Sequence, residues 1–443
     1  MFILQDVVAV IFVLGVMILI HELGHFAAAK YFDVKVDAFA FGFGPRLFGK
    51  KWGETDYRVC ALPLGGYVKM SGEQPGDDHT SDPREFSAKP RWQRLIIAVM
   101  GPAMNVVLAV ALLVGLYMVR YERLAFLDQT PVLSDVEPNS PADKAGLKEG
   151  DKIVSIDDKQ SPNWEDVTLR AVAAAGQPMH LRIERGGRQL DVTVTPTSDP
   201  STGIGYTGWS EQVPVQLGEI VAGMPAAQAG LKTGDVLVSV NGQPIRSRRK
   251  LPQVLQEKGG QAVVIVYLRN GVEHSATVTP VFHAESKDEG AAWRIGVGLM
   301  PKYVKVVTRL SFPAALRESI DWNRKNTSLI FEFLRGIVQR RMSPKSLEGP
   351  IGIARLSGDA ARHGFTDLIM VMSAISLNLG IFNLLPIPIL DGGVIILLLF
   401  ESLIGRDINL AVKERIVQAG FVFLMLLFVF VIYNDIVKSL ARG

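Results

Sequence analysis

His21-Glu22-Leu23-Gly24-His25 stands inside an apolar run that extends from Val7 to Ala29. About 20 apolar residues in a helix cross the ~30 Å of bilayer hydrocarbon, so this run is long enough to span. A spanning segment must satisfy its own backbone hydrogen bonds, which here means a helix. On that helix the two imidazoles lie four residues apart on one face and can grip a single ion, while Glu22 reaches the water bound to it. The competing reading is a chance match. Ionisable groups at membrane depth cost about 2.5–3.5 kcal/mol each even on lenient insertion scales, and they ordinarily mark function.

The rest of the chain fits a mixed membrane and aqueous architecture. Its 443 residues are 48% hydrophobic and 21% charged, with a mean hydropathy of +0.23. A net charge of +3, from Lys and Arg that are spread rather than clustered, gives no case for nucleic-acid binding. The single cysteine, Cys60, excludes an intrachain disulfide framework. The N-terminus lacks a basic leader region, carries Asp6 and runs on into the histidine motif, so it reads as a retained span rather than a cleaved signal.

Four spans are expected: Val7 to Ala29, Leu95 to Val119, Leu368 to Leu390 and Ile416 to Tyr433. The third carries Asn378, Asn383, Pro386 and Pro388, so it should face protein or a water-filled cavity rather than lipid. Arg91 and Arg94 precede the second span, and Arg406, Lys413 and Arg415 lie between the third and fourth. The positive-inside rule makes those loops cytoplasmic, places both termini outside and makes the long segment between spans two and three extracytoplasmic.

That segment repeats. Ala145-Gly146-Leu147-Lys148-Glu149-Gly150-Asp151 through Ile156 returns 84 residues later as Ala229-Gly230-Leu231-Lys232-Thr233-Gly234-Asp235 through Val240. Each copy reads as a glycine-punctuated turn and an alternating strand, predicting two tandem β-rich domains. Their sequences resemble PDZ domains, whose grooves accept an extended peptide as an added strand. Between the first two spans, Ala40 to Met70 is rich in glycine and aromatic residues, and its alternation suggests short β-hairpins at the membrane face, a surface loop being the alternative. Pro313 to Arg341 reads as an amphipathic helix lying on the outer bilayer surface.

A catalytic zinc takes three protein ligands and an open position for water, and His21 with His25 supplies two. His79, His180, His274, His283 and His363 all fall outside the expected spans, whereas Asp391 closes the third. Depth therefore favours Asp391, although Leu390-Asp391-Gly392-Gly393 also reads as an ordinary Asp-Gly turn.

The histidine motif, Asn105 after Gly101-Pro102, and Asn383 through Gly393 together resemble the site-2 protease family of intramembrane zinc proteases. The resemblance covers nearly the whole chain. It implies a polytopic α-helical membrane protein of about four transmembrane helices, with a membrane-associated β region and two tandem extracytoplasmic PDZ-like α/β domains. The implied boundaries are 1–30 for the first span, 31–94 for the cytoplasmic-side β loop and 95–119 for the second span. PDZ-like domains follow at 122–208 and 209–301, an interfacial helix at 311–345, and spans at 366–400 and 416–434. His21, His25 and Asp391 become the Zn2+ ligands and Glu22 the catalytic base. Asn383 and Asn105, with Gly42, Gly44, Gly65, Gly66 and Tyr67 of the β region, are expected to bind substrate. Val394 follows Gly393 where many members carry histidine, a departure outside the ligand set.

The same resemblance implies cleavage within single-span membrane proteins, such as an anti-sigma factor or leftover signal peptides, after an earlier outer cut by a site-1-type protease. It places the protein in the bacterial inner membrane, embedded in lipid, with its PDZ domains in the periplasm. Three other classes compete. A PDZ scaffold would not need an intact His21, Glu22, His25 and Asp391. A non-haem iron enzyme shares the two-histidine, one-carboxylate set but would leave Glu22 without a purpose. A transporter would need an inverted repeat that four spans do not supply.

Overall fold

The computed structural model describes residues 2–73, 82–199, 203–283, 292–344 and 347–442. Two compact units emerge: Met1–Tyr121 with Thr308–Leu334 and Leu347–Gly443, and Glu122–Val307 with Arg335–Ser346.

The first unit is helical around a small sheet. Its helices are α1 (Phe2–Tyr31), α2 (Arg91–Val119), α3 (Phe312–Val338), α4 (Pro350–His363), α5 (Phe365–Asn383), α6 (Asp391–Ile404) and α7 (Leu410–Arg442), and its strands are β1 (Val36–Trp52) and β2 (Thr55–Met70). Four stretches are long and apolar enough to cross a membrane: Asp6–Tyr31, Arg91–Val119, Phe365–Asn383 and Ala411–Lys438.

These stretches match the expected spans except at the third, which stops at Asn383 instead of running to Leu390. Pro386 and Pro388 cannot donate to a helical ladder, so the chain turns and restarts as α6 at Asp391. The helix α4 has no counterpart among the expected elements. Its start is fixed from a distance by Asp435 of α7, which accepts the backbone N–H groups of Gly349, Ile351 and Gly352. The expected amphipathic helix is present as α3, with Ala315 fully buried in a cluster that holds Leu113 and Tyr117 of α2.

Lipid tails are as apolar as leucine, so helices in a bilayer associate through close approach and polar contacts rather than through the hydrophobic effect. The α2–α5 pair shows both. Ser373 and Ser376 donate their hydroxyls to the Ala109 and Asn105 carbonyls at 2.9 and 2.8 Å, and at Gly380 a Cβ would stand 2.9 Å from the Pro102 carbonyl oxygen. The α1–α2 crossing is tighter still, because a Cβ at Gly24 would meet the Met100 oxygen at 2.2 Å.

The expected short hairpins are one long, bulged pair of strands. Ala38–Phe41 is flanked on one side by Gly66–Lys69 in antiparallel register, and on the other by Asp56–Val59, which pairs onward with Phe48–Lys51. Gly42 and Gly44 adopt φ of +90° and +85° where β1 leaves one partner for the next, a conformation open to glycine at no steric cost. Among the described residues no strand pairs with the outer edge of Gly66–Met70.

The second unit repeats one module. In the first copy, strand Leu133–Val136, short helix Pro141–Lys144, strand Lys152–Ile156 and helix Trp164–Ala173 lead to the hairpin Met179–Arg185 with Arg188–Val194. In the second, Val215–Ile220, Pro225–Gln228, Val236–Val240 and Lys250–Lys258 lead to Val263–Arg269 with Val272–Val278. Each copy closes its own core, around Ile153, Val167 and Ile183 in one and Leu237, Val254 and Ile265 in the other. Buried side chains of that size each contribute about 1.5–3 kcal/mol. A repeated aspartate explains the repeated sequence. Asp151 and Asp235 are buried, accept the Lys148 and Lys232 N–H at 2.8 Å, and pair in two-pronged fashion with Arg185 and Arg269.

Candidate metal centre

One turn of α1 separates His21 from His25, and both rings are buried. Their Nε2 atoms stand 3.2 Å apart. Asp391 approaches from α6 with Oδ2 3.1 Å from His21 Nε2 and Oδ1 3.5 Å from His25 Nε2. Two ligand atoms on a tetrahedral zinc, with bonds of about 2.0–2.1 Å, lie roughly 3.3 Å from one another. The three residues therefore present the donor types and the spacing that one zinc ion requires. Asp391 opens a helix, where the macrodipole favours a carboxylate. The Asp-Gly-Gly sequence is needed for that placement, since a Cβ at Gly392 or Gly393 would meet the Leu385 or Ile387 carbonyl oxygen at 2.2 or 2.4 Å. Among the described residues no other histidine joins the cluster, and His79 lies outside them.

The helix α2 forms the back wall. His25 Nδ1 donates to the Ile97 carbonyl at 2.8 Å, which leaves Nε2 directed at His21 and Asp391. A Cβ at Gly101 would lie 2.1 Å from His25 Nε2, so only glycine lets the ring rest there. Asn105, expected beside substrate, is instead fully buried behind His21, with its amide 3.1 Å from Nδ1. The Ile97 carbonyl and the Gly101 notch lie beyond sequence reasoning, and the Gly101-Pro102 break in an apolar run is their one visible sign.

The front is formed by the β region. Glu22 is half-buried with its carboxyl toward the Val68 N–H, and a Cβ at Gly66 would stand 3.2 Å from Glu22 Cγ. The edge strand thus lies against the carboxylate. Asn383, the last residue of α5, places Nδ2 3.5 Å from His21 Nε2. Gly65 and Tyr67 sit on the same strand but serve its packing: the Tyr67 ring stacks on Phe43, and Gly65 makes room for the Phe43 ring. Gly42 and Gly44 shape the turn in β1. Glu73, just past the strand, accepts the Met70 N–H at 3.4 Å.

The sequence profile of Peptidase family M50 matches residues 9–427. The chain belongs to this family. M50 relatives align along almost their full length. The regulator of sigma-E protease RseP of Salmonella typhimurium is 30% identical over 459 residues, covering 98% of each chain. A Treponema pallidum protein whose name describes a zinc metalloprotease is 33% identical over 442 residues, covering 96% of this chain and 97% of its own. Protease RseP of Yersinia pestis is 30% identical over 465 residues, covering 98% and 99%. Among solved structures, the PDZ domain of an SdrC-like protein from Listeria monocytogenes covers 20% of this chain and 90% of its own at 22% identity, with a TM-score of 0.18. As an M50 member the protein is a site-2-type zinc metalloprotease, carried on helices long enough to span a membrane.

Proposed function

We propose that this protease hydrolyses peptide bonds inside transmembrane segments of single-span membrane proteins, anti-sigma factors and leftover signal peptides among them, after a first cut on the outer side. The observation that carries the proposal is the edge Gly66–Met70, with which no other strand pairs among the described residues, set against Glu22 and the His21, His25, Asp391 cluster. Peptide bonds in an intact helix are shielded by their own hydrogen bonds. A substrate that unwinds can recover those bonds by pairing with the edge as an added strand, taking the Val68 and Met70 N–H groups that face Glu22 and Glu73 in this structure.

In this reading His21, His25 and Asp391 hold zinc, which when bound acts as a Lewis acid and lowers the pKa of water. Glu22 takes a proton from the attacking water and returns it to the leaving amine. Asn383 holds the substrate chain at the open side of the cluster. An apolar groove of about 400 Å3, lined by Val8, Ile11, Phe12, Gly15, Leu19 and Phe41, runs along α1 and suits an apolar substrate helix.

We further assign the two repeat modules as tandem PDZ-like domains on the periplasmic side of the bacterial inner membrane, with the β region and its water access on the cytoplasmic side. Supporting a role in admission, a cavity of about 840 Å3 is lined by both modules, and a second of about 560 Å3 runs between helix Lys250–Lys258 and strand Val297–Pro301. Deleting residues 122–301 should let untrimmed substrates be cut, and unchanged cleavage of full-length substrate would refute the filter role.

The primary test is cleavage of a trimmed single-span reporter in a reconstituted membrane by the wild type and by Glu22→Gln. Product from the wild type alone, with zinc retained in both, supports the assignment. Equal inactivity with intact substrate binding would favour a scaffold.

A further inference from the structure

We propose that Asn105 is a positioning residue that fixes the tautomer of His21, its side-chain oxygen accepting the Nδ1–H so that Nε2 is bare toward the metal. This rests on the reading of His21 as a zinc ligand and concerns what makes it one.

Asn105 is fully buried on α2, and its amide lies 3.1 Å from His21 Nδ1. The atom at that distance is assigned as Nδ2, while Oδ1 has no hydrogen-bond partner. Amide nitrogen and oxygen have nearly the same shape, and their assignment follows from the hydrogen-bond network. A donating Nδ2 would require a bare Nδ1. The neutral ring would then carry its proton on Nε2, the atom facing His25 and Asp391, and could not bind an ion through it. The assigned orientation leaves the buried Oδ1 without a partner, so the amide's own bonds do not favour it and the choice falls to the ring. An Nε2 that must offer its lone pair to the ion puts the proton on Nδ1, and the amide oxygen must then face it.

The partner histidine shows the same arrangement. His25 Nδ1 meets the Ile97 carbonyl, which can only accept, so its tautomer is fixed with Nε2 bare. Ile97, Gly101 and Asn105 are spaced four apart and share one face of α2. That face therefore acts as a template, with an acceptor for each imidazole on either side of the glycine notch. Ser376 holds Asn105 through its backbone carbonyl, so the side chain can be changed without disturbing the α2–α5 contact. Residues of this kind typically tune metal affinity by about 10–100-fold when altered.

The test measures zinc affinity by chelator competition on the full-length protein in detergent, for the wild type, Asn105→Asp, Asn105→Leu and His21→Ala, with thermal unfolding of each apo form as the folding control. Aspartate offers an acceptor and no donor, so Asn105→Asp should bind zinc no more than about threefold more weakly than the wild type, whereas Asn105→Leu should lose about 10–100-fold. Tenfold weaker binding by Asn105→Asp would show that the amide donates and overturn the proposal. Unchanged binding by a folded Asn105→Leu would overturn it as well. Retention of zinc by His21→Ala would instead sink the ligand assignment itself, which separates that failure from this one.

Discussion

Replacing Gly101 by alanine should separate metal binding from fold more cleanly than removing a ligand would. The new Cβ would lie 2.1 Å from His25 Nε2, 2.5 Å from Cε1 and 2.7 Å from Cδ2, where ordinary contact begins at 3.4 Å. The obstacle is anchored to the backbone of α2, so the ring itself must retreat by roughly an ångström or more. That motion pulls Nδ1 off the Ile97 carbonyl and moves Nε2 away from the other two ligands. Loss of one such supporting bond costs roughly 10–100-fold in metal affinity, and an ångström of misplacement costs about 100-fold in rate. We expect zinc affinity to fall about 100-fold, or roughly 2.7 kcal/mol, with a larger loss in kcat/KM for reporter cleavage. Gly115→Ala on the same helix is the control. Nothing lies within 4 Å of its Cβ, so zinc binding should be unchanged and helix propensity should improve by up to about 1 kcal/mol. Zinc affinity in Gly101→Ala within about threefold of the wild type would refute the template role of α2.

Three further outcomes are expected. Arg269→Ala strips a buried Asp235 of its partner and should lower the thermal midpoint of the repeat unit by several degrees, while Arg182→Ala, at an exposed pair with Asp191, should leave it unchanged; equal shifts would contradict this. Arg84 first, and then Lys30, hold the Glu54 carboxyl at about 2 against an ordinary 4.5, so its contribution is fully present above pH 4.5 and is lost as pH falls toward 2. The stability difference between wild type and Glu54→Gln should therefore shrink across that window, and a constant difference in acid titrations would count against it. Asp435→Ala leaves three N–H groups at the start of α4 without an acceptor and should cost about 1–3 kcal/mol, seen as faster hydrogen exchange at Gly349 to Gly352; unchanged exchange would rule out the cap.

Elements that depend on local pattern are legible in the sequence. The spans follow from apolar length, and the repeat modules follow from glycine and aspartate positions whose turn and ion pair recur at the same spacing. His21 and His25 belong to one helix, so their shared face is a consequence of about 3.6 residues per turn. The third span looks longer in the sequence than it is, because apolar length carries no information on where Pro386 and Pro388 redirect the chain. The cap that Asp435 places on α4 joins residues far apart in the chain and leaves no local trace.

By itself, then, the sequence determined that a two-histidine metal motif lies on a helix long enough to span a membrane, that a repeated β-rich segment follows, and that Asp391 was a candidate third ligand. Only the tertiary structure decided that Asp391 meets the histidines and that α2 backs them. Both depend on close approaches between distant segments, at Gly24 and Gly101 for α1 on α2 and at Gly392 and Gly393 for the turn over α6, and such contacts are set by packing in three dimensions rather than by any local pattern.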